Sequence, residues 1–223
     1  MLELPWNFAA IPQYFLRFFP AALMTLQITT LGIGIGLLLG FIAGLMRTST
    51  YKIFNIPSYL YIWIIRGTPL LLQLFIIYYG LAVIVSIPRF PAAVMALGVH
   101  NGAYIAEIFR GAIQSIDRGQ KEAALSLGMT EWQTMHRIIL PQAFKRAIPP
   151  LGNQFIIALK DSSLASTIAV KELLLRTRQV GSSQFMMMEM LIIAATYYLI
   201  LTSILTLITT RIEKNLSISD RRN

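Results

Sequence analysis

The sequence predicts an all-α integral membrane protein with five transmembrane helices and a polar cytoplasmic loop between the third and the fourth. Three observations predict it. The chain is 56% hydrophobic and only 13% charged, where a soluble domain carries about 25% charged residues. Five stretches are apolar for the length of about 20 residues that a helix needs to cross the hydrocarbon. Between the third and fourth of these, residues 117–148 form a half-polar passage with helix caps of its own. Residues 1–223 read as a single transmembrane domain that contains this loop.

Span one covers about 18–46 and carries Gly32, Gly34, Gly36, Gly40 and Gly44, small residues that let helices approach closely. Span two covers about 67–86. Its lead-in, IFNIPSYLYIWIIR, is aromatic and interrupted by Pro57, so it reads as a bent or interfacial piece. Spans three, four and five cover about 91–116, 150–170 and 186–210. The N-terminal stretch lacks the basic region and small-residue cleavage site of a signal peptide, and its apolar run is too long for one. It reads as a retained span, and the tail SISDRRN as a frayed end.

The net charge is +9. In a soluble protein that would suggest nucleic acid; in a membrane protein Lys and Arg set topology. With the N-terminus outside, the cytoplasmic parts hold Arg47, Lys52, Arg66, Arg118, Lys121, Arg137, Lys145, Arg146, Arg211, Lys214, Arg221 and Arg222. The outer parts hold Arg17, Arg89, Lys171, Arg176 and Arg178. Twelve against five, of 19 in all, places the N-terminus out, the C-terminus in and the loop in the cytoplasm. There is no cysteine, which excludes disulfides, thiolate metal sites and a Cys nucleophile.

The loop reads as two short capped rods. Gln120 to Leu125 are good helix formers. Gly128 follows where a helix end needs a left-handed residue. Thr130 with Gln133 makes a capping box. Trp132, Met135, His136 and Ile139 share one face, and Pro141 is expected to end the second rod. A third piece, QAFKRAI, leads to Pro149 and Pro150, which open span four. Ala123, Ala124 and Gly128 leave a low surface for a partner. A DNA-reading helix-turn-helix has a similar local pattern, but the flanking spans hold the loop against the bilayer. A plain interfacial helix is the other reading.

The words EAALSLG…ILP resemble the EAA loop of permease subunits in bacterial ABC importers. More narrowly, IRGTPLL (65–71), NGAYIAEIFRGAIQSIDRGQ (101–120), EAALSLGMTEWQTMHRIILPQA (122–143) and PPLGNQFIIALKDSSL (149–164) are similar to the polar amino-acid permease family, over nearly the whole chain. The resemblance implies a type I importer fold in the bacterial inner membrane. It implies that Glu122, Ala123, Ala124 and Gly128 couple the spans to a cytoplasmic ABC ATPase dimer. It also implies an extracytoplasmic amino-acid-binding protein and a polar amino-acid substrate. One five-span chain encloses half a pathway, so a second copy or a paralogue is expected beside it, with lipid around both. The chain has no G-x-x-x-x-G-K-[ST] stretch. ATP is therefore used by the partner, and the chain itself is expected to be non-catalytic, without cofactor, metal or nucleic acid.

Ionisable residues at membrane depth usually face a cavity or a partner. Span three carries His100, Glu107 and Arg110, with His100, Tyr104, Glu107 and Gly111 on one face. Span four carries Lys160 and Asp161 near its middle, pointing about 100° apart. A purely structural reading pairs Glu107 with Lys160. A functional reading is a zwitterion site, with Glu107 and Asp161 for an ammonium and Lys160 and Arg66 for a carboxylate. The resemblance places the translocated amino acid near His100, Glu107, Lys160 and Asp161, and His100 stands where relatives often carry Asn. Arg66 and Arg110 equally suit snorkelling to the interface. His100 and His136 lie too far apart in depth for a shared metal. Ser162 and Ser163 lack a G-x-S-x-G context, and the methionines of QFMMME (184–189) read as packing. A rival class, an ion-gradient-driven transporter or channel, would also use midplane acids and bases; five spans with a docking loop and no evident repeat argue against it.

Overall fold

Between two helices in lipid there is no solvent-driven attraction, because the surrounding tails are as apolar as Leu; close packing and buried hydrogen bonds must hold them. The computed structural model, which describes residues 6–221 (216–221 by backbone alone), shows where those contacts fall. Short helical turns over residues 8–18 lead into α1 (Phe19–Thr48). Then come α2 (Lys52–Arg66) and α3 (Leu70–Phe75), the latter extended by a π turn and a 3-10 turn. After α4 (Arg89–Gln114) the loop holds α5 (Arg118–Ser126) and α6 (Glu131–Thr134). α7 (Leu140–Asp161) passes into a 3-10 helix (Ser162–Ile168), followed by α8 (Leu173–Gln184) and α9 (Met187–Arg221). No strand occurs among the described residues.

The central seam joins α1 to α4. Gly32, Gly36, Gly40 and Gly44 present a bare stripe, answered by Gly98 and Gly102. A Cβ on Gly40 would lie 2.5 Å from Ile105 Cγ2 and 2.8 Å from Gly102 O; one on Gly98 would lie 2.7 Å from Ile35 Cγ2. Gly34, expected to be part of this face, is turned away, with nothing within 4 Å of its Cβ position. Three polar clasps attach the other helices. Tyr61 of α2 donates to Val99 O at 2.7 Å, and its hydroxyl lies 2.5 Å from where a Gly102 Cβ would stand. Ser58 donates to Ala43 O at 2.6 Å. Gln154 of α7 donates to the buried Asn101 side chain at 2.8 Å.

Among the described residues three helices are long and apolar enough to cross a membrane: Phe8–Thr48, Arg89–Gln114 and Met187–Asn215. α2 and α3 make a fourth if they are one broken span, bent by 103°. The bend is not at Pro57, as the sequence suggested. Pro57 sits in the second turn of an unbroken α2, where it removes a single hydrogen bond; the chain turns at Gly67 to Pro69, where Pro69 is extended. The expected fourth span is only partly regular helix, and α7 with its 3-10 extension is not among those that pass on length and apolarity. Pro141 does not end the second rod either. A π turn (Met135–Ile139) links α6 to α7, and Pro141 falls in the first turn of α7, where its missing N–H breaks nothing. Pro149 and Pro150 lie inside α7 rather than at its start. The tail expected to fray continues α9 in its backbone to Arg221, and residues 222–223 lie outside the described residues.

At the end remote from the loop, and outside the spans, fully buried Glu172 caps α8. It accepts from the N–H groups of Leu174 (2.9 Å) and Leu175 (2.7 Å) and from the Tyr198 hydroxyl (3.0 Å). Thr25 of α1 accepts from Leu173 N at 3.3 Å, so the cap joins three elements.

Gly40→Ala is expected to destabilise the protein by about 1–3 kcal/mol, as overpacking does. Gly34→Ala should be neutral or stabilising, since Ala is the better helix former by up to about 1 kcal/mol. Thermal midpoints in detergent check both. Burial pushes the Glu172 carboxyl from 4.5 up to about 7, against the pull of its three donors. The folded protein therefore holds a proton that the unfolded chain has released, and stability present below about pH 4.5 is lost as pH rises to about 7. Midpoints measured across that window should fall, and Glu172→Gln should flatten the slope; an unchanged slope in that variant would assign it to another group.

Candidate functional site

The face of α4 opposite its glycine seam carries His100, Tyr104, Glu107 and Arg110 at helical spacing. Arg110 reaches back one turn and grips Glu107 with two bonds, Nη2 to Oε2 at 2.7 Å and Nε to Oε1 at 2.9 Å. Its remaining nitrogen donates to Gln114 at 2.6 Å. Arg66, the last residue of α2, stands 3.6 Å from Glu107 Oε2 and 5.2 Å from the centre of the Tyr104 ring. Arg47, at the end of α1, bonds Asn55 at 2.9 Å and lies over Tyr59. These groups line a cavity of about 530 Å³ between α1, α2 and α4. Three guanidiniums face one carboxylate there, and the surplus of positive charge suits a ligand that bears a carboxylate.

Glu107 is thus paired with Arg110 and Arg66, not with Lys160, and Arg110 closes this network instead of snorkelling. His100 continues the strip: its ring centre is 5.0 Å from that of Tyr104, and Nδ1 is 3.1 Å from Gln73 Oε1. Lys160 and Asp161 stand apart from the cavity. They are the last two residues of α7, not the middle of a span, because the α-helix gives way to a 3-10 helix at Ser162. Lys160 is exposed. Asp161 borders a narrow cleft with Leu70 and Leu74 of α3 and Ala96 and Leu97 of α4. Among the described residues neither side chain has a hydrogen bond or a close ion pair.

Sequence reasoning overlooked two contributors. Arg47 was absorbed into the topology count, although its place one residue from a helix end shared with Thr48 and Ser49 could have drawn notice. Gln73 was passed over within LLLQLF, where a lone amide in an apolar run is itself a signal.

The loop is built as its sequence suggests. Asp117 caps α5 by accepting from Gly119 N at 2.8 Å. Gly128, at φ +82°, ends it with Met129 N bonded to Ala124 O at 3.1 Å and Gly128 N to Leu125 O at 3.0 Å, the paired bonds of a Schellman motif. Thr130 and Gln133 form both bonds of the capping box, at 3.2 and 2.9 Å. Lys121 and Glu131, 2.9 Å apart, clip the rods together. Glu122, Ala123 and Gly128 are exposed, whereas Ala124 is buried and packs inward. Leu127 and Trp132 are 83% and 73% exposed, with Trp132 stacked on His136. Two large apolar side chains left bare on a polar loop mark a surface for protein contact.

The profile of the family described as "Binding-protein-dependent transport system inner membrane component" matches residues 36–218. The glutamine transport system permease protein GlnP of Escherichia coli (strain K12) is 42% identical over 200 residues, covering 88% of this chain and 91% of that protein. The arginine transport system permease protein ArtQ of Bacillus subtilis (strain 168) is 39% identical over 199 residues, with 88% and 91% covered. Among solved structures, a chain of an amino acid ABC transporter crystallised with histidines superposes with a TM-score of 0.90 at 39% identity, over 95% of this chain and all of that one. A chain of the MetNI methionine ABC transporter shares the fold, with a TM-score of 0.74 at 20% identity, over 89% of this chain and 95% of that one. A capped loop between apolar helices, a charged cavity beside it and agreement over nearly the full length have one reading: the chain belongs to the binding-protein-dependent transport system inner membrane component family.

Proposed function

We propose that this chain is the membrane-spanning permease subunit of an ATP-driven ABC importer for polar L-amino acids. One observation carries the reading. The second rod of the exposed loop runs through a π turn into α7 without a break, and α7 ends at Lys160 and Asp161. A partner that displaces the loop therefore moves the two charged residues at the far end of the same helix.

In this reading the loop faces the cytoplasm and docks an ABC ATPase dimer through Glu122, Ala123, Gly128, Leu127 and Trp132. Ala124 supports that surface from beneath. The N-terminus lies outside, where a binding protein delivers the amino acid. A second copy or a paralogue completes the pathway. Asp161, which has no hydrogen bond or close ion pair among the described residues, holds the substrate ammonium, with Lys160 beside it. The cavity with Arg47, Arg66 and Arg110 lies two or more turns further along α4, so it meets the carboxylate at a later stage of the passage, after the ammonium has left Asp161, and Glu107 holds the two nearest guanidiniums in place. His100 meets the side chain. The chain carries out no covalent chemistry; substrate moves by exchange between inward- and outward-open states.

A broken helix like α2–α3 also occurs in gradient-driven transporters. Co-purification with an ATPase, and ATP turnover stimulated by substrate, are expected; uptake by the lone chain on an ion gradient would select the other reading. Gly128→Val forces a branched side chain into a left-handed position, at about 1–2 kcal/mol. It is expected to abolish uptake while the protein stays in the membrane, and normal uptake would reject the docking role. Asp161→Asn should weaken the thermal shift that the transported amino acid produces about tenfold or more in apparent affinity, the scale of one charged hydrogen bond. An unchanged shift removes Asp161 from the site.

A further inference from the structure

The bend between α2 and α3 is closed by one side chain. Gln73, buried in the first turn of α3, sends Nε2 back across the bend to Ile65 O at 2.8 Å, Thr68 O at 3.1 Å and Thr68 Oγ1 at 2.9 Å. All three are acceptors toward it. The Thr68 hydroxyl has already placed its own proton on Ile64 O, at 2.9 Å. Turning the amide over would set Oε1 against two carbonyls and a hydroxyl lone pair, so the amide has one stable orientation. Its Oε1 therefore faces His100 Nδ1, 3.1 Å away. A carbonyl oxygen can only accept, so Nδ1 must carry the proton. In the neutral imidazole that leaves Nε2 bare.

Nε2 has no hydrogen-bond partner among the described residues. It is not sealed off either: the one buried side-chain polar atom without a partner among them is the Thr134 hydroxyl. The bare nitrogen thus keeps some exposure on a residue that is otherwise buried, on the face that carries Tyr104 and Glu107. The same bend also positions Arg66, seven residues before Gln73, over the Tyr104 ring.

We infer that Gln73 is a positioning residue of the substrate site: it fixes His100 as the Nδ1–H tautomer, so that Nε2 accepts a hydrogen bond and favours an amino acid whose side chain offers an N–H donor. The inference rests on the amino-acid permease reading for the nature of the ligand, but the tautomer does not. His100 and His136 are the only histidines of this chain, so imidazole ¹⁵N labelling of this chain alone, assembled with unlabelled partners, gives two sets of ring signals, told apart with His136→Gln. A proton-bearing Nδ1 and a bare Nε2 on His100 are expected. A bare Nδ1 overturns the inference and leaves the permease reading untouched. A proton-bearing Nδ1 with no thermal shift from any amino acid supports the tautomer lock and overturns the ligand it was assigned.

A second measurement asks whether Gln73 acts through His100. L-glutamine, with a side-chain donor, and L-glutamate, without one, serve as probes. Gln73→Leu should weaken L-glutamine about tenfold, the scale of one hydrogen bond, in protein that retains His100. It should leave L-glutamine unchanged in a His100→Ala background, and L-glutamate unchanged in both. An equal loss in both backgrounds would show a structural role only. If Gln73→Leu fails to assemble, the ring tautomer of the unaltered protein still decides.

Discussion

The close approach of α1 and α4 is the constraint on which the remaining geometry depends. Where Gly40 faces Gly102 and Ile105, the two backbones are so near that no side chain fits between them. That contact does more than hold a pair. The same Gly102 leaves room for the Tyr61 hydroxyl, which seats α2 along the edge of the seam, against α1 and α4 together. One residue earlier, Asn101 takes the bond from Gln154 that seats α7. Three neighbouring positions, 99, 101 and 102, thus fix three helices against a fourth. Each tie is a buried hydrogen bond or a bare backbone, as expected where burial of apolar surface offers no preference between protein and lipid.

With α4 held in this way, its charged strip has a defined neighbour, and distances rank the interactions within it. Arg110 grips Glu107 with two short bonds from the same helix, so that pair moves as one body. Arg66 is held by a 3.6 Å contact and by the face of Tyr104, each of modest strength in a partly exposed setting. Arg66 is also 44% exposed in its side chain, against 24% for Glu107. Of the charges around the cavity, it is the one that a ligand can redirect at least expense. A single carboxylate with several guanidiniums is a sensible ground state at this depth: it moderates their mutual repulsion and still leaves net positive charge for an incoming anion.

Much of this was legible in the sequence because the relevant signals are local. The caps that the sequence announced, Gly128, Thr130 and Gln133, are decided by backbone chemistry within four residues, and they stand where expected; Asp117, which caps the first rod, follows the same local chemistry but was not singled out. The glycine stripe was legible as a stripe, but Gly34 belongs to another face, because helical spacing of four keeps Gly32, Gly36, Gly40 and Gly44 together and excludes it. The prolines misled. Their effect depends on whether the missing N–H would have had a partner, and at Pro141 a π turn had already shifted the hydrogen-bond register. Charge pairing misled for a different reason. Glu107 had several candidate cations, and only the three-dimensional path of α2 and α4 decides that Arg66 and Arg110 reach it while Lys160, carried off at the end of α7, does not. Gln73 was invisible as a partner of His100 since the two are 27 positions apart and meet only across the bend.

The prolines of α7 bear on how a push at the loop reaches the site. The helix has 22 residues, about 33 Å at 1.5 Å per residue. Pro149 and Pro150 remove the bonds that would join them to the carbonyls of residues 145 and 146, so the rod has one soft point. Below it, Arg146 ties α7 to Ser115, through both the carbonyl and the side-chain oxygen, at the lower end of α4. Above it, Gln154 ties α7 to the middle of α4. Both ties end on or beside α4, whose own strip is braced by the glycine seam. Since both segments are anchored to one fixed body, a bend at the prolines requires one of the two ties to part. In the proposed cycle the arginine cavity on α4 keeps its shape while Asp161 shifts against α4, so that the ammonium is released from Asp161 before the carboxylate reaches the arginines.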